Sequence, residues 1–322
     1  MSIITIPGKL GRFVSLNNGT GFEVVLSTFG AGVYQIYVDG APMLIGPKGY
    51  YDYEISDAYY GKTIGRYAGR VPNGELKFNG KTINLPLNDP FHHTLHGGPE
   101  GFSFHDFEAE ILNNEVRMSY LSPRGEGGFP GSVKLTVIFK VVPGEYTLYM
   151  DYELESDEPT PVGLTCHSYF NLGGEQTVLG DTLMIPAEKY YTTVMKAPDK
   201  QIPVPPLLDF RKPKIIRDVC LDPTLPSDTG GGIDFIYVTN GKSTVLENQK
   251  YRLEIQTDMP TIAVYTNNYP REGQLLSNGR IEEKYSAIAL ECEEIPNDFD
   301  AIAVLPGQIK KRHIYYVFSK KK

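Results

Sequence analysis

The chain has no tryptophan and only three cysteines in 322 residues. Cys166, Cys220 and Cys292 are odd in number and far apart, so neither a disulfide framework nor a Cys-x-x-Cys metal site is indicated. Without tryptophan, any stacking platform for a ligand has to come from the 22 tyrosines and 15 phenylalanines. Positive charge is in deficit too: 31 Lys and Arg against 39 Asp and Glu leave a formal net charge of −8. That balance disfavours a nucleic-acid surface and argues mildly against a strongly anionic substrate. Long apolar runs are missing, and with them any candidate for a membrane-spanning helix. The segment from Met1 to Lys9 has neither a basic start nor a sustained apolar stretch, so a cytoplasmic protein is expected. No segment carries an i, i+3, i+4, i+7 stripe over three turns, so helices should be few and short.

What is present is alternation with period 2. Val133, Leu135, Val137, Phe139 and Val141 alternate with polar or smaller neighbours, and Tyr146, Leu148, Met150, Tyr152 and Leu154 do the same a few residues on. Two half-buried strands joined at Pro143-Gly144 are predicted. Further hairpins are predicted at Asp39-Gly40, Asn79-Gly80, Asn113-Asn114 and Asn240-Gly241, and a late strand through Leu253, Ile255 and Thr257. The 33 Gly and 24 Pro are spread through the chain rather than gathered in a linker. One antiparallel β domain over residues 1–322 is the economical reading, with Ser319 to Lys322 as a frayed tail.

Five segments could hold chemistry. Thr165-Cys166-His167-Ser168-Tyr169-Phe170-Asn171-Leu172 places one histidine in an apolar, β-prone run. Read alone, it fits a core histidine satisfied by backbone groups as well as it fits a proton-transfer residue. Cys166 is adjacent and so faces the other way on a strand, which makes a Cys/His nucleophile pair improbable. Gly65-Arg66-Tyr67-Ala68-Gly69-Arg70 carries two arginines four apart among glycines, able to approach hydroxyl or carboxylate oxygens. His92, His93 and His96 fall within five positions, but the flanking Asn88-Asp89-Pro90 and Gly97-Gly98 indicate a loop, and a polar pocket wall is expected before a metal site. Asp234 follows Gly230-Gly231-Gly232 and is either a turn aspartate or a ligand-facing carboxylate. Glu291 and Glu293 share one strand face, where burial would raise one carboxyl and make it an acid or base.

In this order, the segments resemble the aldose 1-epimerase (galactose mutarotase) family. The resemblance runs through Gly65 to Arg70, Thr94-Leu95-His96-Gly97-Gly98 with Gly101-Phe102, Gly128-Phe129-Pro130-Gly131 and His167 to Leu172. It continues through Leu208-Asp209-Phe210-Arg211, Gly232-Ile233-Asp234, Tyr265-Thr266-Asn267-Asn268 and Val304-Leu305-Pro306-Gly307. It implies an all-β fold, a supersandwich of antiparallel sheets with an open cleft for a neutral hexose. It implies no cofactor and no metal, and a monomer or homodimer whose partner is a small monosaccharide rather than nucleic acid or membrane. By position, Arg70, His96 and Asp234 look like sugar-hydroxyl ligands, with Tyr169 and Glu291 beside them. His167 looks like the general acid that protonates the ring oxygen.

The family's base is a glutamate after the late Pro-Gly. Here that position is Gln308, and an amide cannot serve as a base. Upstream, where the family shows glutamate-x-glutamine, this chain has Glu291-Cys292-Glu293. A reciprocal exchange is therefore expected, with Glu293 as the base and Gln308 as a hydrogen-bonding group. Phe107 stands where tryptophan is common, and Phe235 follows Asp234 where histidine is frequent. Two other readings stay open: a sugar-binding protein that lost its base, and a hexose-6-phosphate epimerase with Arg66 as phosphate partner.

Overall fold

The computed structural model describes residues 2–321. Its strands Val133–Lys140 and Thr147–Ser156 pair antiparallel with Val133 opposite Ser156, as their alternation predicts. Leu135, Val137, Phe139, Leu148, Met150, Tyr152 and Leu154 are all fully buried on the shared inner face. Each such side chain contributes roughly 1.5–3 kcal/mol through removal from water. This pair lies inside a nine-stranded antiparallel sheet that also contains Glu115–Ser122, Lys310–Lys320 and Tyr251–Thr257.

Residues 2–42 make a five-stranded meander from Ser2–Pro7 to Ala41–Pro42. A six-stranded sheet follows the order Tyr169–Phe170, Ile288–Glu293, Thr261–Tyr265, Asp234–Val238, Lys189–Val194, Ala197–Pro203. One apolar cluster joins all three sheets: Leu16 and Val24 from the first, Met150 and Ile255 from the second, Val264, Leu290 and Cys292 from the third. The outer face of the six-stranded sheet is left to line a cleft. Among the described residues the α-helices are short, Tyr50–Ile55 and Arg217–Cys220, and none is long and apolar enough to cross a membrane.

The turns at Asp39-Gly40, Asn79-Gly80 and Asn113-Asn114 each join paired strands. Asn240-Gly241 does not. Both residues have positive φ, 53° and 74°, as a tight turn requires, but the flanking strands enter different sheets. Asp234–Val238 pairs with Thr261–Tyr265, while Thr244–Glu247 pairs with Tyr251–Thr257. Local turn chemistry bends the chain there, and the sheet partners are chosen by burial elsewhere. The C-terminal end is also better ordered than its composition suggests: Ser319 and Lys320 close the strand Lys310–Lys320 against Arg252 and Tyr251. Lys322 lies outside the described residues.

Leu135→Ala, at a fully buried position of the nine-stranded sheet, is expected to cost about 2–5 kcal/mol in urea unfolding, because the cavity cannot fully collapse.

Candidate active site

The cleft has a volume of about 610 Å³. Its floor is the six-stranded sheet read across the strands. Tyr169 pairs with Ala289, which pairs with Tyr265, which pairs with Asp234, so Tyr169, Tyr265 and Asp234 stand in one cross-strand row. Two residues along, Glu291, Ala263 and Ile236 form the next row. Period 2 puts Glu293 on the face of Glu291, while Leu290 and Cys292 enter the core. Arg70, His96 and His167 close the cleft from the loops. Of the candidate residues named from the sequence, Arg70, His96, His167, Tyr169, Asp234, Glu291 and Glu293 all line it.

Gln308 does not. It is exposed in the turn after Gly307, where its N–H closes onto the carbonyl of Leu305 at 3.3 Å, and it is absent from the cleft wall. The final strand begins only at Lys310, so no sheet register turns Gln308 inward. Glu293 thus lines the cleft and Gln308 stands outside it.

His167 and Glu291 meet at 3.3 Å, Nε2 to Oε1, with both side chains buried. Burial pushes the imidazole down to about 4 and pushes the Glu291 carboxyl well up, the latter reinforced by Glu293 and Asp234. Glu291 does not hold a proton on His167 by its charge, because the same burial neutralises Glu291. Burial thus favours the uncharged form of each group. Nδ1 of His167 and Oε2 of Glu291 are buried with no partner, poised for one.

His96 sits at φ 53°, and Gly97 follows at φ 83° with its Cα so close to Gly65 that a Cβ would lie 2.0 Å from that carbonyl oxygen. No side chain fits at position 97. The ring is thereby fixed edge-on to His167, centroids 5.2 Å apart, and its Nδ1 accepts the N–H of Gly69 at 3.2 Å. Its proton is thus on Nε2, a donor for a ligand. Burial, then the neighbouring His167 and Arg70, holds His96 well below the ordinary imidazole range. His96, His167 and Glu291 bring ligand atoms within 4.8 Å of one another, a set able to hold a metal ion. The sequence neighbours of His96 take no part in it: His92 is exposed and His93 turns toward other backbone.

Glu293 is buried beside Gly69, and burial raises its carboxyl to about 8, with Arg70 pulling the other way. Thr261 Oγ1 bonds the backbone carbonyl of Glu293 at 3.0 Å; among the described residues no donor bonds the carboxyl itself. Arg70 is held at Nε by Asp89 at 2.8 Å, and the other Asp89 oxygen accepts the Phe91 N–H at 2.7 Å. Asp234 starts its strand under Gly232, where a Cβ would come within 2.0 Å of Asn268 Oδ1. Lys196 Nζ reaches Asp234 at 2.9 Å. Asp89, Lys196 and Arg271 were not legible as site residues: only the loop at Asn88-Asp89-Pro90 could have drawn attention to the first. The rings available for stacking are Tyr59, Phe91, Tyr169, Tyr265 and Tyr269, whereas Phe107 is buried in the core.

Arg66 is also a core residue. Its guanidinium is spent on Ser122 Oγ and the carbonyls of Ser122, Pro123, Pro130 and Gly131. It offers nothing to a phosphate, which removes the basis of the hexose-6-phosphate reading.

A sequence model described as aldose 1-epimerase matches residues 12–314. The chain belongs to the aldose 1-epimerase family. It is 32% identical to the human galactose mutarotase over 288 residues, 81% of this chain and 79% of that one. It is 30% identical to the aldose 1-epimerase of Escherichia coli K12 over 314 residues, 90% and 88% of the two chains. Among solved structures, a galactose 1-epimerase from Lactobacillus acidophilus superposes with a TM-score of 0.89 at 27% identity, covering 100% and 99%. An aldose epimerase homologue from C. elegans has the same fold, with a TM-score of 0.88 at 24% identity, covering 100% of both chains. Family membership and the buried His96–His167–Glu291 cluster at the cleft together support an isomerase role.

The imidazole of His167 titrates lower in the folded protein than unfolded, so the stability it contributes is full above about 6.5 and is lost as pH falls toward about 4. Relative to His167→Gln, wild-type protein is expected to lose melting temperature progressively across that window, by several degrees, with the two curves parallel above pH 7.

Proposed function

We propose that this member of the family is an aldose 1-epimerase, interconverting the α and β anomers of a free aldohexose. The observation that carries the reading is the buried His167–Glu291 contact at 3.3 Å and a separate buried carboxyl, Glu293, on the strand of Glu291, all facing one cleft. Opening a cyclic hemiacetal requires a proton off the C1 hydroxyl and a proton onto the ring oxygen. Glu293 takes the first. His167 gives the second, and the C1–O5 bond breaks to the open-chain aldehyde. Rotation about C1–C2 presents the other carbonyl face; O5 attacks C1, His167 recovers its proton and Glu293 returns the other to the new C1 hydroxyl. Protons and electrons balance without a cofactor.

Arg70 and the Nε2–H of His96 donate to sugar oxygens, and the Asp234 carboxylate accepts from a hydroxyl. The paired charges Arg70–Asp89 and Lys196–Asp234 suit a neutral sugar, since no cation is left over for a phosphate. Tyrosine rings in place of tryptophan give the apolar sugar face its platform. The raised basicity of Glu293 matches the task of removing a hydroxyl proton, at the cost that it is largely protonated at neutral pH in the free protein. Gln308 has no part in this mechanism.

Polarimetry of freshly dissolved α-glucose and α-galactose, corrected for the buffer rate, tests the reading: acceleration identifies an isomerase, and sugar binding without acceleration identifies a binder. The base works deprotonated, so kcat/KM is expected to rise with pH until the profile levels near 8. Glu293→Gln should lower kcat by about 10²–10⁴-fold and remove that limb, whereas Gln308→Ala stays within about twofold. Full activity in Glu293→Gln would sink the assignment of the base. The same substitution should raise the melting temperature at pH 9 by about 2 °C or more, because it removes the cost of ionising a buried carboxyl.

A further inference from the structure

His93, three residues before His96, is buried and takes no part in the acid–base chemistry. Its Nδ1 accepts the N–H of Asn73 at 3.1 Å, and its Nε2 lies 2.8 Å from the carbonyl of Met195. The first bond settles the tautomer: a ring that accepts at Nδ1 carries its proton on Nε2 and donates it to Met195. Met195 and Lys196 are the tip of the hairpin between Lys189–Val194 and Ala197–Pro203, at φ 48° and 71°. A two-residue hairpin loop takes positive φ at both of its central residues, and it does so here without glycine.

Two contacts hold the tip in place, His93 on one side and Lys196 on the other. The Lys196 ammonium lies 2.9 Å from Asp234 Oδ2 and 4.9 Å from the centre of the Tyr269 ring. The usual order of a hairpin tip is inverted. Lys196 has only 9% of its side chain exposed, while Val194 and Met195 are 58% and 56% exposed. The tip spends its charge on the cleft and leaves its apolar side chains in water.

We propose that Lys196 is a second sugar-recognition group beside Asp234, and that His93 is the positioning residue that delivers it. The proposal rests on the reading that the cleft takes a free sugar. An ionised aspartate only accepts and an ammonium only donates. Side by side, they match two neighbouring hydroxyls, one donating to the carboxylate and the next accepting from the ammonium. A sugar that lacks either hydroxyl forfeits one of the two charge-assisted bonds, so the pair selects for an intact diol. The remaining cleft cations are paired with other carboxylates, Arg70 with Asp89 and Arg271 with Asp57.

The test uses the full chain, with polarimetric kinetics and calorimetric binding of glucose and galactose. Lys196→Met should raise KM and Kd about tenfold while kcat changes less than about threefold, the size of one charge-assisted hydrogen bond. His93→Leu should shift KM in the same direction, and the double variant should be no worse than Lys196→Met alone. His93→Gln keeps an acceptor and a donor on one side chain and should restore the wild-type KM. Trypsin reads the hairpin without turnover: wild type resists cleavage at Lys196-Ala197, and His93→Leu is cut there. Unchanged sugar affinity in Lys196→Met overturns the recognition role. Additive losses in the double variant, or failure of His93→Gln to rescue, overturns the role of His93. Wild-type protein that binds sugar without accelerating mutarotation overturns the isomerase reading instead, and the binding data still decide Lys196.

Discussion

The structure turns on keeping two carboxyl groups on one face of one strand buried together with the imidazole that meets one of them. Ile288–Glu293 is buried along its whole length, with Leu290 and Cys292 in the core and Glu291 and Glu293 on the cleft. Ionised carboxylates would not tolerate that position, and here burial drives both toward the neutral form. The same burial strips the charge from His167, so the cluster holds protons rather than charges. A site built this way can give and take protons with little reorganisation of solvent. Its cost is borne by the rest of the fold, which has to seal the inner face of the sheet completely.

Much of what makes the family's motifs specific is that sealing and buttressing. Arg66 never touches the cleft; it ties Ser122, Pro123, Pro130 and Gly131 together behind it and so explains why Gly128-Phe129-Pro130-Gly131 belongs with Gly65 to Arg70. Thr266 and Asn268 bind the backbone at Ile233 and fill the space over Gly232, setting the position from which Asp234 enters the cleft. Gly97 is small because Gly65 passes over it. Motif residues that look like ligands in the sequence are thus divided between cleft-facing groups and the struts that hold them.

The cleft's fixed charges come in pairs, and each pair joins distant parts of the chain. Arg70 meets Asp89, Lys196 meets Asp234 and Arg271 meets Asp57. Such pairing orients planar and flexible groups while leaving spare lone pairs or protons for a ligand. It also keeps the cleft close to neutral, in line with an uncharged sugar rather than a phosphate ester.

The strands and most hairpins were legible from alternation and turn residues, because burial on one face writes period 2 directly into side-chain polarity. So was the set of groups facing the cleft from the strands, since Glu291 and Glu293 on one face follow from that same period. The sequence by itself therefore determined a β fold and two carboxyls on one side of one strand. Tertiary structure alone decided the rest. It set the partner of each histidine, the exposure of Gln308, the burial of Arg66 and the arrival of Lys196 at Asp234 from 38 residues away. Those outcomes depend on which sheet a strand joins and which loop passes over which, as Asn240-Gly241 shows by turning the chain between sheets rather than back on itself. Contacts between distant segments leave no period in the sequence, and proton chemistry depends on those contacts because they decide which groups are kept from water.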